Sequence, residues 1–164
     1  EMATLDPLTQ ISNRRGFLLL AQHSLSLCAR QQVPASLVFL DLDRFKSIND
    51  RFGHDEGDRV LVCFAELMKK VFRESDLLAR LGGDEFVILL ANATRSVAEE
   101  LIGRFAGSLA GFNEQAQRGY DIAFSSGITE CLPGQHQTVE ELLANSDALM
   151  YASKRGKAGS RPRG

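Results

Sequence analysis

Two short apolar runs, Leu77 to Leu81 and Phe86 to Leu90, are separated only by Gly82-Gly83-Asp84-Glu85. Runs of that length, joined by glycines that tolerate positive φ, predict a β-hairpin rather than a helix. A third run, Ser36 to Leu42, is almost continuously apolar and suits a strand covered on both faces. The other apolar residues recur at helical spacing. One helix is predicted from about Arg14 to Gln31 behind a cap at Ser12 or Asn13, a second from near Phe45 to a break at Gly53, and a third carries Val60, Phe64, Leu67, Met68 and Val71. A further helix spans Asn92 to Gly111 with Thr94 as cap, Ile122 to Thr129 is a strand, and a capping box, Thr138-Val139-Glu140-Glu141, opens a last helix reaching about Lys154.

The resulting order, αβααββαβα, predicts an α/β (α+β) fold: a mixed, mainly antiparallel central sheet flanked by helices. With 164 residues, 44% of them hydrophobic and 24% charged, the chain has an ordinary globular composition. A chain of this size buries roughly 70% of its unfolded surface, so it needs no staples. Residues 1–157 are expected to form one domain, and residues 158–164, mostly Gly, Ser, Arg and Pro, a loose tail. Cys28, Cys63 and Cys131 are odd in number and far apart, with no CxxC, and read as small apolar residues in a reducing compartment. No segment has the layout of a signal peptide or the length of a membrane span, so a cytoplasmic module without direct membrane contact is expected. A net charge of −2 argues against nucleic acid as a partner. The charge is uneven, with five basic groups and no acid in residues 152–164.

Chemistry concentrates at two acidic pairs. Asp41 and Asp43 stand where the buried strand stops, and Asp84 and Glu85 occupy the hairpin tip. If the hairpin lies beside that strand, the carboxylates repel one another unless a cation intervenes, and hard oxygen donors select Mg²⁺ or Mn²⁺ over zinc. The alternative is that Asp41 and Asp43 cap the following helix and Gly-Gly-Asp-Glu is only a polar turn; spacing alone does not decide. Between the pairs, the stretch from Asn49 to Asp58 is dense in hydrogen-bonding groups, and an amide with a carboxylate suits a guanine edge, although on these residues alone a solvated helix-helix loop is the favoured reading. No P-loop or G-x-G-x-x-G occurs, so a phosphate here would meet metal, lysines and loop amides instead. Arg73-Glu74-Ser75-Asp76 offers a planar fork and an acceptor, or simply a local ion pair.

Leu81-Gly82-Gly83-Asp84-Glu85-Phe86 resembles the signature of GGDEF domains, the diguanylate cyclases. Asp6-Pro7-Leu8-Thr9 with Asn13-Arg14-Arg15 is similar to that family's opening motif, Phe39 to Lys46 to its metal strand, and Phe52-Gly53-His54 with Gly57-Asp58 to its nucleotide loop. Ser126-Gly127-Ile128 and Asp147 to Tyr151 resemble its closing strand and helix. The resemblance implies a ferredoxin-like, nucleotidyl-cyclase palm that condenses two GTP into cyclic di-GMP, a bacterial second messenger, in a homodimer. It further implies that Asp41, the Leu42 carbonyl and Asp84 bind Mg²⁺ with Glu85 assisting, and that Asp84, Glu85 and Lys46 serve catalysis. Asn49, His54, Asp58, Gly82, Gly83 and Lys154 match substrate-binding positions. Arg73 and Asp76, with Arg104 from the neighbouring helix, match an inhibitory product site. The closing basic run, Lys154-Arg155-Gly156-Lys157, is one residue shorter than the family's, which leaves Lys157 and the later arginines as alternatives for a second phosphate contact. A non-catalytic nucleotide-binding module is the competing expectation, although such modules usually carry substitutions in the signature that this chain lacks.

Overall fold

The computed structural model describes residues 3–160. The elements are α1 (Arg14–Gln31), β1 (Ala35–Leu42), α2 (Phe45–Phe52), α3 (His54–Val71), β2 (Leu77–Gly82), β3 (Glu85–Ala91), α4 (Arg95–Ala116), β4 (Phe124–Cys131) and α5 (Val139–Ser160). The strands form one sheet in the order β2-β3-β1-β4, and all three pairings are antiparallel. The only parallel pairing among the described residues is an isolated bridge between Ser12 and Ala79, so the sheet is antiparallel where a mixed, mainly antiparallel one was expected.

The continuous apolar run of β1 follows from its central place. Val38, Leu40 and Leu42 enter a core with Phe64, Met68 and Phe105 from α3 and α4, whereas Leu37 and Phe39 enter a second core with Phe17, Leu142 and Met150 from α1 and α5. Alternating side chains thus meet helices on both faces, and the one serine of β1, Ser36, is buried with its hydroxyl donating to the Ala93 carbonyl (2.9 Å). Phe64 anchors the first core through ring contacts with Phe86, Phe105 and Phe124. All three cysteines are free, and no helix among the described residues is long and apolar enough to cross a membrane.

Local chemistry sets the helix ends. Asn13 caps α1 by accepting from Gly16 N, Thr94 caps α4 by accepting from Val97 N, and Thr138 exchanges hydrogen bonds with Glu141 at the start of α5. α4 continues beyond Gly111 to Ala116, because an exposed glycine costs a helix only about 1 kcal/mol and Asn113 is pinned to both backbone groups of Ile122. That same anchoring delays β4 to Phe124 rather than Ile122. α5 runs through Gly156 to Ser160, past the point where the loose tail was expected to begin, and Lys157 ties this extra turn to Asp43 and the Phe124 carbonyl. Residues 161–164 of that expected tail lie outside the described residues.

The opening loop is fastened to the sheet by a buried charge. Asp6 accepts from the Thr9 hydroxyl (2.6 Å), the Thr9 N–H (2.9 Å) and Arg80 Nη1 (2.9 Å). Burial alone would raise the Asp6 pKa, but the Thr9 bonds and the Arg80 charge outweigh it and hold the carboxyl below its usual range. Arg80 also donates through Nε to the Gly83 carbonyl (2.8 Å), so one guanidinium joins the loop to the hairpin turn. Asp6→Asn should therefore lower stability by about 1–3 kcal/mol, read as a fall in Tm. Because the folded pKa is depressed, the Asp6 contribution is present above the unfolded pKa and disappears as pH falls through the folded one, so the Tm difference between wild type and Asp6→Asn should shrink in acid.

Candidate active site

Register brings the two acidic pairs together. In the β1–β3 ladder Asp41 lies directly opposite Glu85, and Leu42 N donates to the Asp84 carbonyl (3.2 Å). Gly82 and Gly83 make this possible: at φ of 150° and 49° they turn the chain in a conformation that side chains with a Cβ rarely adopt. Neither Asp41 nor Asp43 caps α2, whose N-cap residue is Arg44 and has no side-chain cap bond. Asp43 instead accepts from the Ser125 hydroxyl (2.8 Å) and Lys157 (3.1 Å). The helix-cap alternative is thereby removed.

Burial and the crowding of like charges both disfavour ionisation at this site. Burial first, and then the neighbouring Asp41 carboxylate, push the Asp84 pKa up to about 6. Glu85 is raised by the same two causes in the same order, with Asp147 adding to them. On the other side of the balance, the Lys154 ammonium lies 2.5 Å from Asp41 Oδ1 and 3.1 Å from the Leu42 carbonyl. A cation thus already rests on two of the oxygens for which the family resemblance implies metal binding. Among the described residues no three Asp, Glu, His or Cys side chains form a ready ligand set. The donors are two carboxylates and a carbonyl, which suits Mg²⁺ or Mn²⁺, ions that complete their shells with water and phosphate oxygens.

Two helices flank this corner. Lys46 is exposed in the first turn of α2, Asn49 is half-buried further along it, and His54 and Asp58 are exposed in the opening turns of α3. Asn49 stacks against Gly57, where a Cβ would collide with the Asn49 Oδ1 atom, so only glycine lets the two helices hold that amide in place. On the far side of the hairpin, Arg73 and Asp76 form a two-pronged ion pair, Nη2 to Oδ1 at 2.8 Å and Nε to Oδ2 at 3.2 Å, while Asp76 also accepts from Arg73 N (2.9 Å). Arg73 Nη2 reaches the Ala91 carbonyl as well (3.1 Å). Arg104 is exposed on α4, and no contact of its side chain with this pair is recorded among the described residues.

Two features escape the sequence reading. Arg80 was counted within an apolar run, and a lone arginine in such a strand was the available signal for the brace on Gly83. The importance of Gly57 to Asn49 carries no signal without coordinates.

The four-stranded antiparallel sheet flanked by helices, with carboxylates meeting at the ends of β1 and β3, matches a nucleotidyl-cyclase-like palm. The family model described as "Diguanylate cyclase, GGDEF domain" matches residues 3–160, and the chain belongs to that family. It is 37% identical over 158 residues to the probable diguanylate cyclase DgcE of Escherichia coli, covering 96% of this chain and 14% of that protein. It is 34% identical over 159 residues to a diguanylate cyclase of Vibrio cholerae, covering 94% of this chain and 48% of that one. The chain thus spans less than half the length of these curated relatives. Among solved structures, the GGDEF domain of DgcB from Caulobacter crescentus in complex with c-di-GMP superposes with a TM-score of 0.84 at 28% identity, covering 96% of this chain and 90% of that one. The active GGEEF domain of a diguanylate cyclase from Vibrio cholerae gives 0.80 at 32% identity, covering 90% and 93%.

Proposed function

We propose that residues 1–157 are the catalytic module of a larger signalling protein and condense two GTP into cyclic di-GMP and two pyrophosphates. The observation that carries this reading is the meeting of Asp41 and Asp84 beside the Leu42 carbonyl, with a lysine ammonium resting on Asp41 and that carbonyl. Each protomer of a homodimer holds one GTP. The ribose 3′-oxygen of each attacks the α-phosphorus of the other, so that two new P–O bonds close the ring, two bonds to pyrophosphate break, and each 3′-hydroxyl gives up its proton. Asp41, the Leu42 carbonyl and Asp84, with Glu85 beside them, would hold a divalent cation that supplies charge stabilisation to the phosphate oxygens and the leaving group. The Asp84–Glu85 carboxylates are the groups placed to take the hydroxyl proton. Lys46 and Lys154 offset negative charge at the phosphates, and the Gly82-Gly83 turn permits close approach of the backbone. Lys157, about one turn beyond Lys154 on α5, is the preferred second phosphate contact and would exchange its bonds to Asp43 and the Phe124 carbonyl for a phosphate oxygen.

Asn49 and Asp58 read the guanine, with His54 next to it. Gly57→Ala should displace Asn49 and raise the KM for GTP about tenfold while changing kcat less, checked by steady-state kinetics. Arg73, Asp76 and Arg104 bind product and inhibit. The homodimer requirement gives a direct test: incubation with GTP and Mg²⁺, resolved by nucleotide chromatography, should yield cyclic di-GMP with specific activity that rises with protein concentration. Binding of GTP without any cyclic product at high concentration would identify a non-catalytic module instead.

A further inference from the structure

Tyr120 lies in the loop between α4 and β4, outside every motif of the chain, yet it touches both helices that carry the guanine-facing residues. Its hydroxyl donates to Glu56 Oε1 (2.5 Å), and Glu56 sits between His54 and Asp58 in the first turn of α3. Its ring meets that of Phe52, at the end of α2 and three residues beyond Asn49, with centroids 4.9 Å apart. The loop itself is held. Arg118 places its guanidinium 5.3 Å from the Tyr120 ring and 4.8 Å from the Phe112 ring, and donates to Asn113 Oδ1 (3.1 Å). Asn113 in turn clamps Ile122 through both backbone groups. The start of α3 needs such support, because it has no side-chain cap bond and residues 54, 55 and 58 in its opening turns are exposed.

We propose that Tyr120 is a positioning residue that fixes the separation of Asn49 and Asp58, and with it the preference for guanine. The inference rests on the guanine-reading role proposed above. Tyr120→Phe keeps the ring against Phe52 and removes the hydrogen bond that ties Glu56 to the loop; the remaining hydrogen-bond partner of Glu56, Arg59 (2.7 Å), belongs to α3 itself, and the attraction of the Arg118 charge for Glu56 carries no directional bond. Loosening the turn should weaken guanine recognition while leaving the phosphate corner on β1 and β3 in place.

The test uses the full 164-residue chain with GTP and with inosine triphosphate, which lacks the exocyclic amine that a carboxylate accepts. Calorimetric titrations in Mg²⁺ with the 3′-deoxy forms of both nucleotides, which lack the attacking hydroxyl, should show Tyr120→Phe binding the guanine nucleotide about three- to tenfold more weakly, with a narrower preference for it over the inosine form, and kinetics with GTP should place the change in KM with kcat within about twofold. Glu56→Gln keeps an acceptor for the hydroxyl and should restore most of the affinity that Glu56→Ala loses. Unchanged affinity and base preference in Tyr120→Phe would overturn the proposal, as would a loss in kcat and Tm together with an intact GTP preference. Wild type that binds neither nucleotide would contradict the cyclase reading as well, whereas wild type that prefers GTP alongside an indistinguishable Tyr120→Phe would contradict this inference alone.

Discussion

Asp84→Asn should abolish formation of cyclic di-GMP, with kcat reduced by about 10³-fold or more, without lowering Tm. The two halves of that expectation have one cause. Asp84 is half-buried next to Asp41, and burial together with the like charge lifts its pKa to about 6. A carboxyl whose folded pKa lies above its unfolded value adds stability that is complete in acid and is lost as pH rises through about 6. At neutral pH, then, ionised Asp84 is a cost to the metal-free fold, and asparagine of the same shape removes it. What asparagine cannot do is supply the charge that retains a divalent cation against solvent, and the phosphates then meet no Lewis acid. Activity measured in Mg²⁺ and thermal unfolding measured with a chelator separate the effects. A variant that is inactive because it unfolds would contradict this account.

Arg73→Ala should free the enzyme from inhibition by its product, raising the cyclic di-GMP concentration for half-inhibition by at least about tenfold while the uninhibited rate stays near wild type. The guanidinium is exposed on one side and pairs with buried Asp76 on the other, so it is held in place for a planar phosphate or base edge to approach. Removing it also strips Asp76 of its ion pair, a cost of about 1–3 kcal/mol in stability. Arg73→Lys supplies the control, since it keeps the charge near Asp76 but loses the two-pronged fork, and it should inhibit weakly at near-normal Tm. Inhibition assays with added product check both variants. An unchanged inhibition curve for Arg73→Ala would remove the site.

Much of this was legible because the relevant signals are local. The β1 run is continuous because helices cover both faces of that strand, and Gly82-Gly83 marks the turn between β2 and β3 because few other residues take those φ values. Once the hairpin pairs with β1, the register that sets Asp41 opposite Glu85 follows from which residues are apolar. Interactions between elements distant in sequence were hidden. Tyr120 and Glu56 are separated by 64 positions, and Arg80 and Asp6 by 74, and neither pair has a periodicity that announces it. Helix ends were misplaced for the same reason: α4 passes Gly111 because Asn113 has partners near β4, and α5 passes Gly156 because Lys157 finds Asp43.

The most direct test of the central claim is ³¹P NMR of GTP incubated with the protein and Mg²⁺ at a concentration where dimers form. The account predicts a phosphodiester signal from cyclic di-GMP and two pyrophosphates for each cyclic product, both absent when Asp41→Asn replaces the wild type. Release of inorganic phosphate with GDP, or a GTP spectrum that never changes, would contradict it.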